Sequence, residues 1–181
     1  MTKRKRYDNK NLSGWSISPE VLDFLLKNLD KEDAILEFGS GLGSKEISKH
    51  FDLWSVEHNM KYLYKNTIKN IYAPIKKRKI INPTTKNLSA EYKWYDESIV
   101  LNIMNKIEYN CLLVDGPPGI IGREGFYHNM DSFNTNCMII IDDVNRKDEN
   151  NLLFRVSKKL QCEYTVYHCS DGKSFGVIDN R

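Results

Sequence analysis

Residues 35 to 43 read Ile35-Leu36-Glu37-Phe38-Gly39-Ser40-Gly41-Leu42-Gly43. A short apolar run, Ala34 to Phe38, carries one acid and then breaks into three glycines, each one residue from the next. Apolar residues on both faces of so short a run describe a buried strand. Glycine admits positive φ and lets another backbone or a ligand come close. From Ser44 to Phe51 the pattern reads as a helix, whose first N–H groups have no partner within the helix and can meet an anionic group. The stretch is therefore a strand, a tight turn and a helix start.

Working outward, the same alternation of strand and helix fills the chain. Ser18-Pro19-Glu20 reads as an N-cap, a proline at the first helical position and an acid in the first turn. Val21, Leu22, Leu25, Leu26 and Leu29 then recur at helical spacing. Leu53 to Glu57 is a second strand, Asn59 to Ile68 a helix, and Ile71 to Ile75 a strand stopped by the basic run and Pro83. Asp96 to Ile107 is helical. Cys111 to Val114 and Cys137 to Ile141 are buried strands, cut off by Asp115-Gly116-Pro117-Pro118-Gly119 and by Asp142-Asp143. Asp148 to Leu160 is helical. Glu163 to Cys169 and Ser174 to Ile178 alternate as paired strands about Ser170-Asp171-Gly172-Lys173. Strands apolar on both faces, alternating with helices, make an α/β fold with a mostly parallel sheet covered on both sides. Ligands of such sheets lie beyond the carboxyl ends of the strands, where strand order reverses. The informative residues fall there: Glu37 to Gly43, Glu57-His58, Asp115 to Gly119, and Asp142-Asp143.

The 181 residues suit one domain, 18–181, preceded by a basic arm or lid over 1–17. No apolar run approaches the roughly 20 residues that span a bilayer. No apolar segment follows the basic N-terminus, so no secretory signal is read and a cytoplasmic location is expected. Cys111, Cys137, Cys162 and Cys169 show neither C-x-x-C nor zinc spacing and are expected to be reduced. The net charge of +3 lies largely in Lys3-Arg4-Lys5-Arg6 and Lys76-Lys77-Arg78-Lys79. Neither cluster has interleaved aromatics to stack on bases, so a frayed end and a solvated loop are the expectation, against a nucleic-acid partner.

The ligand of the glycine turn can be narrowed. No G-K-[ST] follows, which excludes a P-loop. The spacing G-x-G-x-G is not the dinucleotide G-x-G-x-x-G. Glu37 would repel a pyrophosphate but attract a ligand carrying ammonium and sulfonium cations. Glu57, at the end of the next strand, stands where a carboxylate accepts ribose hydroxyls.

E-F-G-S-G-L-G-S followed by Ser55-Val56-Glu57-His58 resembles the first two motifs of class I S-adenosylmethionine-dependent methyltransferases. The likeness runs roughly from Trp15 to Ile178. More narrowly, Ala73-Pro74, Trp94-Tyr95-Asp96, Val114 to Gly119, Gly122-Arg123, and Ile141-Asp142-Asp143 with Arg146 are similar to a subgroup that includes the plant glucuronoxylan 4-O-methyltransferases and many bacterial proteins. The resemblance implies a Rossmann-like fold: a seven-stranded, mostly parallel sheet with helices on both faces and an antiparallel C-terminal hairpin. It implies S-adenosylmethionine as cofactor, lined by Gly39, Ser40, Gly41 and Gly43. Glu37 would face the methionine amino group through the turn or a water, Glu57 the ribose, and His58 the adenine.

The acids after the later strands bear on the acceptor. Asp115 is expected as general base or metal ligand, its direction fixed by Gly-Pro-Pro-Gly. Asp115, Asp142 and Asp143 together would suit a divalent cation with oxygen ligands, as the catechol-type O-methyltransferases place acids at these strand ends. Otherwise Asp142 would accept a substrate hydroxyl and Asp143 would cap the next turn. Arg123 or Arg146 would hold a carboxylate on the acceptor. Trp15, Trp94, Tyr95 and Tyr127, placed in loops, would form a sugar-stacking lid. The expected function is O-methylation of a sugar, uronate or other small hydroxylated acceptor. Methylation of RNA or DNA is the alternative, although Asp115-Gly116-Pro117-Pro118 is not the D-P-P-Y of amino-directed DNA enzymes. A non-catalytic S-adenosylmethionine-binding protein is the third.

Overall fold

The computed structural model describes residues 17–64, 68–81 and 88–181. Its main sheet has seven strands: β1 (Ala34–Phe38), β2 (Asp52–Glu57), β3 (Lys69–Tyr72), β6 (Cys111–Val114), β7 (Met138–Ile141), β8 (Thr165–His168) and β9 (Ser174–Asp179). The spatial order is β3-β2-β1-β6-β7-β9-β8. The five strands from β3 to β7 run parallel, and β9 is antiparallel to both β7 and β8. The chain leaves β1 towards β2 on one side and returns to β6 on the other. Strand order therefore reverses between β1 and β6, which places a crevice beyond their carboxyl ends.

Successive residues of β1 and β6 point to opposite faces, and the helices cover both. Ile35, Leu113 and Ile140 lie in one apolar cluster with Val21, Leu22 and Leu25 of α1 (Pro19–Asn28) and Ile47 of α2 (Leu42–Ile47). Leu36, Leu112 and Ile139 lie in the other, with Val100 of α3 (Glu97–Met104), Phe126 of α4 (Glu124–Asn129), and Leu152, Leu153 and Val156 of α5 (Lys147–Leu160). Gly176 of β9 makes the α5 contact close, since a Cβ there would come 2.2 Å from Leu153. At the start of α1 the Ser18 hydroxyl makes no capping bond. It donates instead to Asp171 at 2.7 Å, tying the helix to the β8–β9 turn.

Three expectations are corrected. Between Asn59 and Ile68 the described residues hold one 3₁₀ turn, Met60–Tyr62, where the periodicity suggested a helix. The basic run is not a loop: it lies in β4 (Ile75–Ile81), which pairs antiparallel with β5 (Leu88–Tyr95) in a separate hairpin. Its charges are offset by the carboxylates of Glu91, Glu97 and Asp96, which meet Lys77, Arg78 and Lys76. Trp94 and Tyr95 are therefore strand residues, fully buried, rather than parts of a lid. Trp94 packs against α4, a short helix that the sequence reading left as loop. Trp15, the first basic cluster and almost all of the 1–17 arm lie outside the described residues. The four cysteines are free, and among the described residues no helix is long and apolar enough to cross a membrane.

Candidate functional site

At the switch between β1 and β6 the two turns touch through their backbones. Gly39 has φ +97°, a conformation that favours glycine, and a Cβ on it would fall 2.8 Å from the Gly116 nitrogen. The Phe38 carbonyl accepts the Asp115 N–H at 2.9 Å, and the Val56 carbonyl accepts that of Gly39 at 2.9 Å. The ends of β2, β1 and β6 are thus locked side by side.

Glu37 and Ser55 are cross-strand partners on β1 and β2, and the Ser55 hydroxyl donates to Glu37 Oε2 at 2.6 Å. The carboxyl is 1% exposed, behind the turn rather than in it. Burial pushes its pKa up to about 7, against the Ser55 and Ser44 hydroxyls, which favour the ionised form. Glu37 is therefore a group whose charge a nearby cationic ligand can set. Ser55 and Ser44 are site residues that the sequence reading missed. The parallel register, which puts Ser55 opposite Glu37, was the signal that would have found the first.

Glu57 is 3% exposed, and both its oxygens are oriented by backbone. Oε2 accepts the Ser40 N–H at 2.9 Å and Oε1 the Asn59 N–H at 2.6 Å. One lone pair on each oxygen is left, which suits a pair of hydroxyls. His58 Nδ1 lies 2.9 Å from Glu57 Oε1 but is poorly angled for a hydrogen bond. The Ser40 hydroxyl is buried with no partner among the described residues. Gly41 is the N-cap of α2, its N–H held by Ser44 Oγ at 2.8 Å, and Gly43 is buried inside that helix.

Across the crevice, Asp115, Asp142 and Asp143 come together, each offering an oxygen within 4.8 Å of the others. Asp143 has φ 60°, a left-handed conformation that aspartate tolerates better than most side chains. Asp115 is the most open of the three, its side chain 22% exposed against 7% for Asp143. Burial first, and then the charge of Asp142, push the Asp115 pKa well above the carboxylate range, against the pull of Arg123. Asp142 is also raised, by burial and by Asp143, against the pull of Arg123 and the neighbouring Asp143 N–H, and among the described residues no side chain donates to its buried oxygens.

Arg123, expected to reach an acceptor carboxylate, is 4% exposed and bonded inward. Nη1 donates to the carbonyls of Asp142 at 2.6 Å and Val114 at 3.3 Å, and Nη2 to the Asp115 carbonyl at 2.6 Å. Nη2 also meets Asp115 Oδ1 at 3.3 Å and Asp143 Oδ2 at 3.0 Å. Glu149, unanticipated and 4% exposed, approaches Nε at 3.9 Å. Burial works against this guanidinium, but the surrounding acids outweigh it and raise its pKa. No donor is left for an acceptor. Arg146, half exposed, reaches Asp143 Oδ2 at 3.0 Å. A metal held by all three acids would share the pole with the guanidinium, whose Nη2 already joins Asp115 Oδ1 to Asp143 Oδ2.

Tyr95 is buried with its hydroxyl unpartnered, and a Cβ on Gly116 would come 2.6 Å from that oxygen. It props the glycine–glycine contact from behind. Tyr127 is half-buried on α4, its ring face covered by the Arg155 guanidinium at 3.9 Å. A hollow of about 490 Å³ opens beside Arg123, lined by Gly122, Asp148, Glu149, Phe154 and Arg155 among others, and by none of the glycine-turn residues.

No protein-family model matches the chain, and no curated protein matches it in sequence. Among solved structures it is similar to MycE, a methyltransferase from the mycinamycin biosynthetic pathway, in complex with Mg, S-adenosylhomocysteine and mycinamycin VI. The TM-score is 0.53 at 13% identity, over 88% of this chain. The match spans 45% of that protein, so the chain corresponds to less than half of its length. At this identity the likeness defines the fold: a Rossmann-like methyltransferase fold, as the strand order also indicates.

Proposed function

We propose that the protein is an S-adenosylmethionine-dependent methyltransferase that methylates a hydroxyl of a sugar, uronate or other small acceptor. The observation that carries this is the Ser40–Glu57 bond. It fixes a two-oxygen acceptor for ribose hydroxyls beside the glycine turn, with the open carboxylate of Asp115 across the same crevice. The residues fit the cofactor: the Ser40 hydroxyl beside that acceptor is buried with no partner among the described residues, and Glu37 is a carboxyl whose ionisation an ammonium would favour.

The bound cofactor would supply an electrophilic methyl group on sulfur. The chain's own part is alignment and proton removal. Asp115 would take the proton of the acceptor hydroxyl as that oxygen receives the methyl group. Burial and the charge of Asp142, which raise its pKa, strengthen its hold on that proton. Asp142, buried beside it, adds the negative charge that raises the proton affinity of Asp115.

Methylation of nucleic acid has weaker support. Lys76, Lys77 and Arg78 already meet acids, which favours a solvated face over a contact for a polyanion. The test is calorimetry with S-adenosylmethionine and S-adenosylhomocysteine, followed by a methyl-transfer screen over neutral and uronate-bearing saccharides. Binding of neither cofactor form would overturn the proposal.

A further inference from the structure

The acidic pole at the ends of β6 and β7 gathers four carboxyl groups, Asp115, Asp142, Asp143 and Glu149, around one buried guanidinium. We propose that Arg123 is the resident cation of this pole: a positioning residue that takes the place of a bound divalent metal and holds Asp115 for its work. This rests on the reading of Asp115 as the base.

Three observations carry it. First, Nη2 joins Asp115 Oδ1 to Asp143 Oδ2, at 3.3 and 3.0 Å. Divalent ions sit about 2.0–2.6 Å from such oxygens, so an ion joining the same two would lie within about 4 Å of Nη2, with like charge. Second, the guanidinium is anchored by backbone as well as by charge. It bonds the carbonyls of Val114, the last residue of β6, and of Asp115 and Asp142, the first residues beyond β6 and β7. It therefore cannot swing aside to admit an ion without releasing both strand ends. Third, Asp143 Oδ2 is held a second time, by Arg146 Nη1 at 3.0 Å. Asp115 and Asp143 thus each spend one oxygen on an arginine, so an ion drawn to the three aspartates would meet a pole whose charge two guanidinium groups already answer. The planar fork of arginine suits this bridging, which the point charge of lysine would not reproduce.

The test is a titration of the 181-residue chain with Mn²⁺, followed by electron paramagnetic resonance, with and without S-adenosylhomocysteine. Wild type should show no saturable Mn²⁺ site below the millimolar range. Arg123→Met, checked for folding by circular dichroism, should gain a saturable site or bind Mn²⁺ at least tenfold more tightly, and Asp142→Asn in that background should remove the gain. A merely structural arginine would not produce a gain of metal affinity. Tight Mn²⁺ binding by wild type, lost in Asp115→Asn, would overturn the proposal, and this arm decides alone if Arg123→Met does not fold. A folded Arg123→Met with no gain would also overturn it. Failure of S-adenosylhomocysteine to bind would remove the methyltransferase reading while leaving the cation result to be judged by itself.

Discussion

Glu57 Oε2 accepts the backbone N–H of Ser40 at 2.9 Å, joining the end of β2 to the glycine turn after β1. The bond spans 17 residues of chain and orients a carboxylate before any ligand arrives. An oriented, buried carboxylate loses little freedom on binding, which is where preorganised sites gain affinity.

Replacing that carboxylate should therefore weaken the cofactor more than the fold. Glu57→Ala removes a charge-assisted acceptor worth about 1.5–3 kcal/mol, which is roughly a 10- to 100-fold loss of affinity. Calorimetry with S-adenosylhomocysteine checks this. Unchanged affinity in the variant would take Glu57 out of the site.

Glu37 makes a pH prediction. Its folded pKa, about 7, lies above the ordinary 4.5, so the folded state holds the proton more tightly than the unfolded chain. The resulting stability is fully present below about pH 4.5 and is lost as pH rises through about 7. Moving a carboxyl from 4.5 to about 7 corresponds to about 3 kcal/mol. Urea unfolding at pH 5 and pH 8 should show wild type less stable at the higher pH, and Glu37→Gln should lessen that difference. Equal pH dependence in the two proteins would mean that Glu37 ionises without cost.

Asp115→Asn should leave cofactor affinity unchanged while lowering transfer about 10²- to 10⁴-fold, the usual worth of a general base. In wild type the rate should rise with pH as Asp115 loses its proton, at a pH above the ordinary carboxylate range. Full turnover by the asparagine variant, measured as S-adenosylhomocysteine released, would assign proton removal elsewhere.

Two glycines near the site separate packing from backbone strain. A Cβ at Gly125 would fall 2.3 Å from Trp94 Cγ, so Gly125→Ala must push α4 off β5, at about 1–3 kcal/mol. Gly122 has φ +90° with nothing within 4 Å, so Gly122→Ala bears only the backbone cost of about 1–2 kcal/mol. Thermal unfolding of the two variants should show both destabilised, Gly125→Ala through packing alone. Unchanged melting of Gly125→Ala would contradict the close fit of Trp94.

The parts of this fold legible in sequence were those fixed by local pattern. Cys111–Val114 and Ser174 onward are apolar or alternating runs closed by turn residues, and the strands fall there. The β4–β5 hairpin was not legible, because its lysines and arginine look like a loop until their partners across the hairpin are known. Glu91, Glu97 and Asp96 make that run tolerable in a strand, and they lie some 12 to 20 residues away. Arg123 misled for the same reason. Its position after Gly122 suggested reach towards an acceptor, but its bonds to the carbonyls of Val114, Asp115, Pro117 and Asp142 decide its direction, and pattern carries no backbone contacts. Glu57 was legible because a strand end leaves its side chain few places to go.

The central claim is that the Glu57 carboxylate and the glycine turn hold S-adenosylmethionine. Isothermal calorimetry on the purified chain, with S-adenosylmethionine and its demethylated product, tests it most directly. The account predicts saturable one-to-one binding of both, greatly weakened in Glu57→Ala. No heat from either ligand with folded wild-type protein would contradict it.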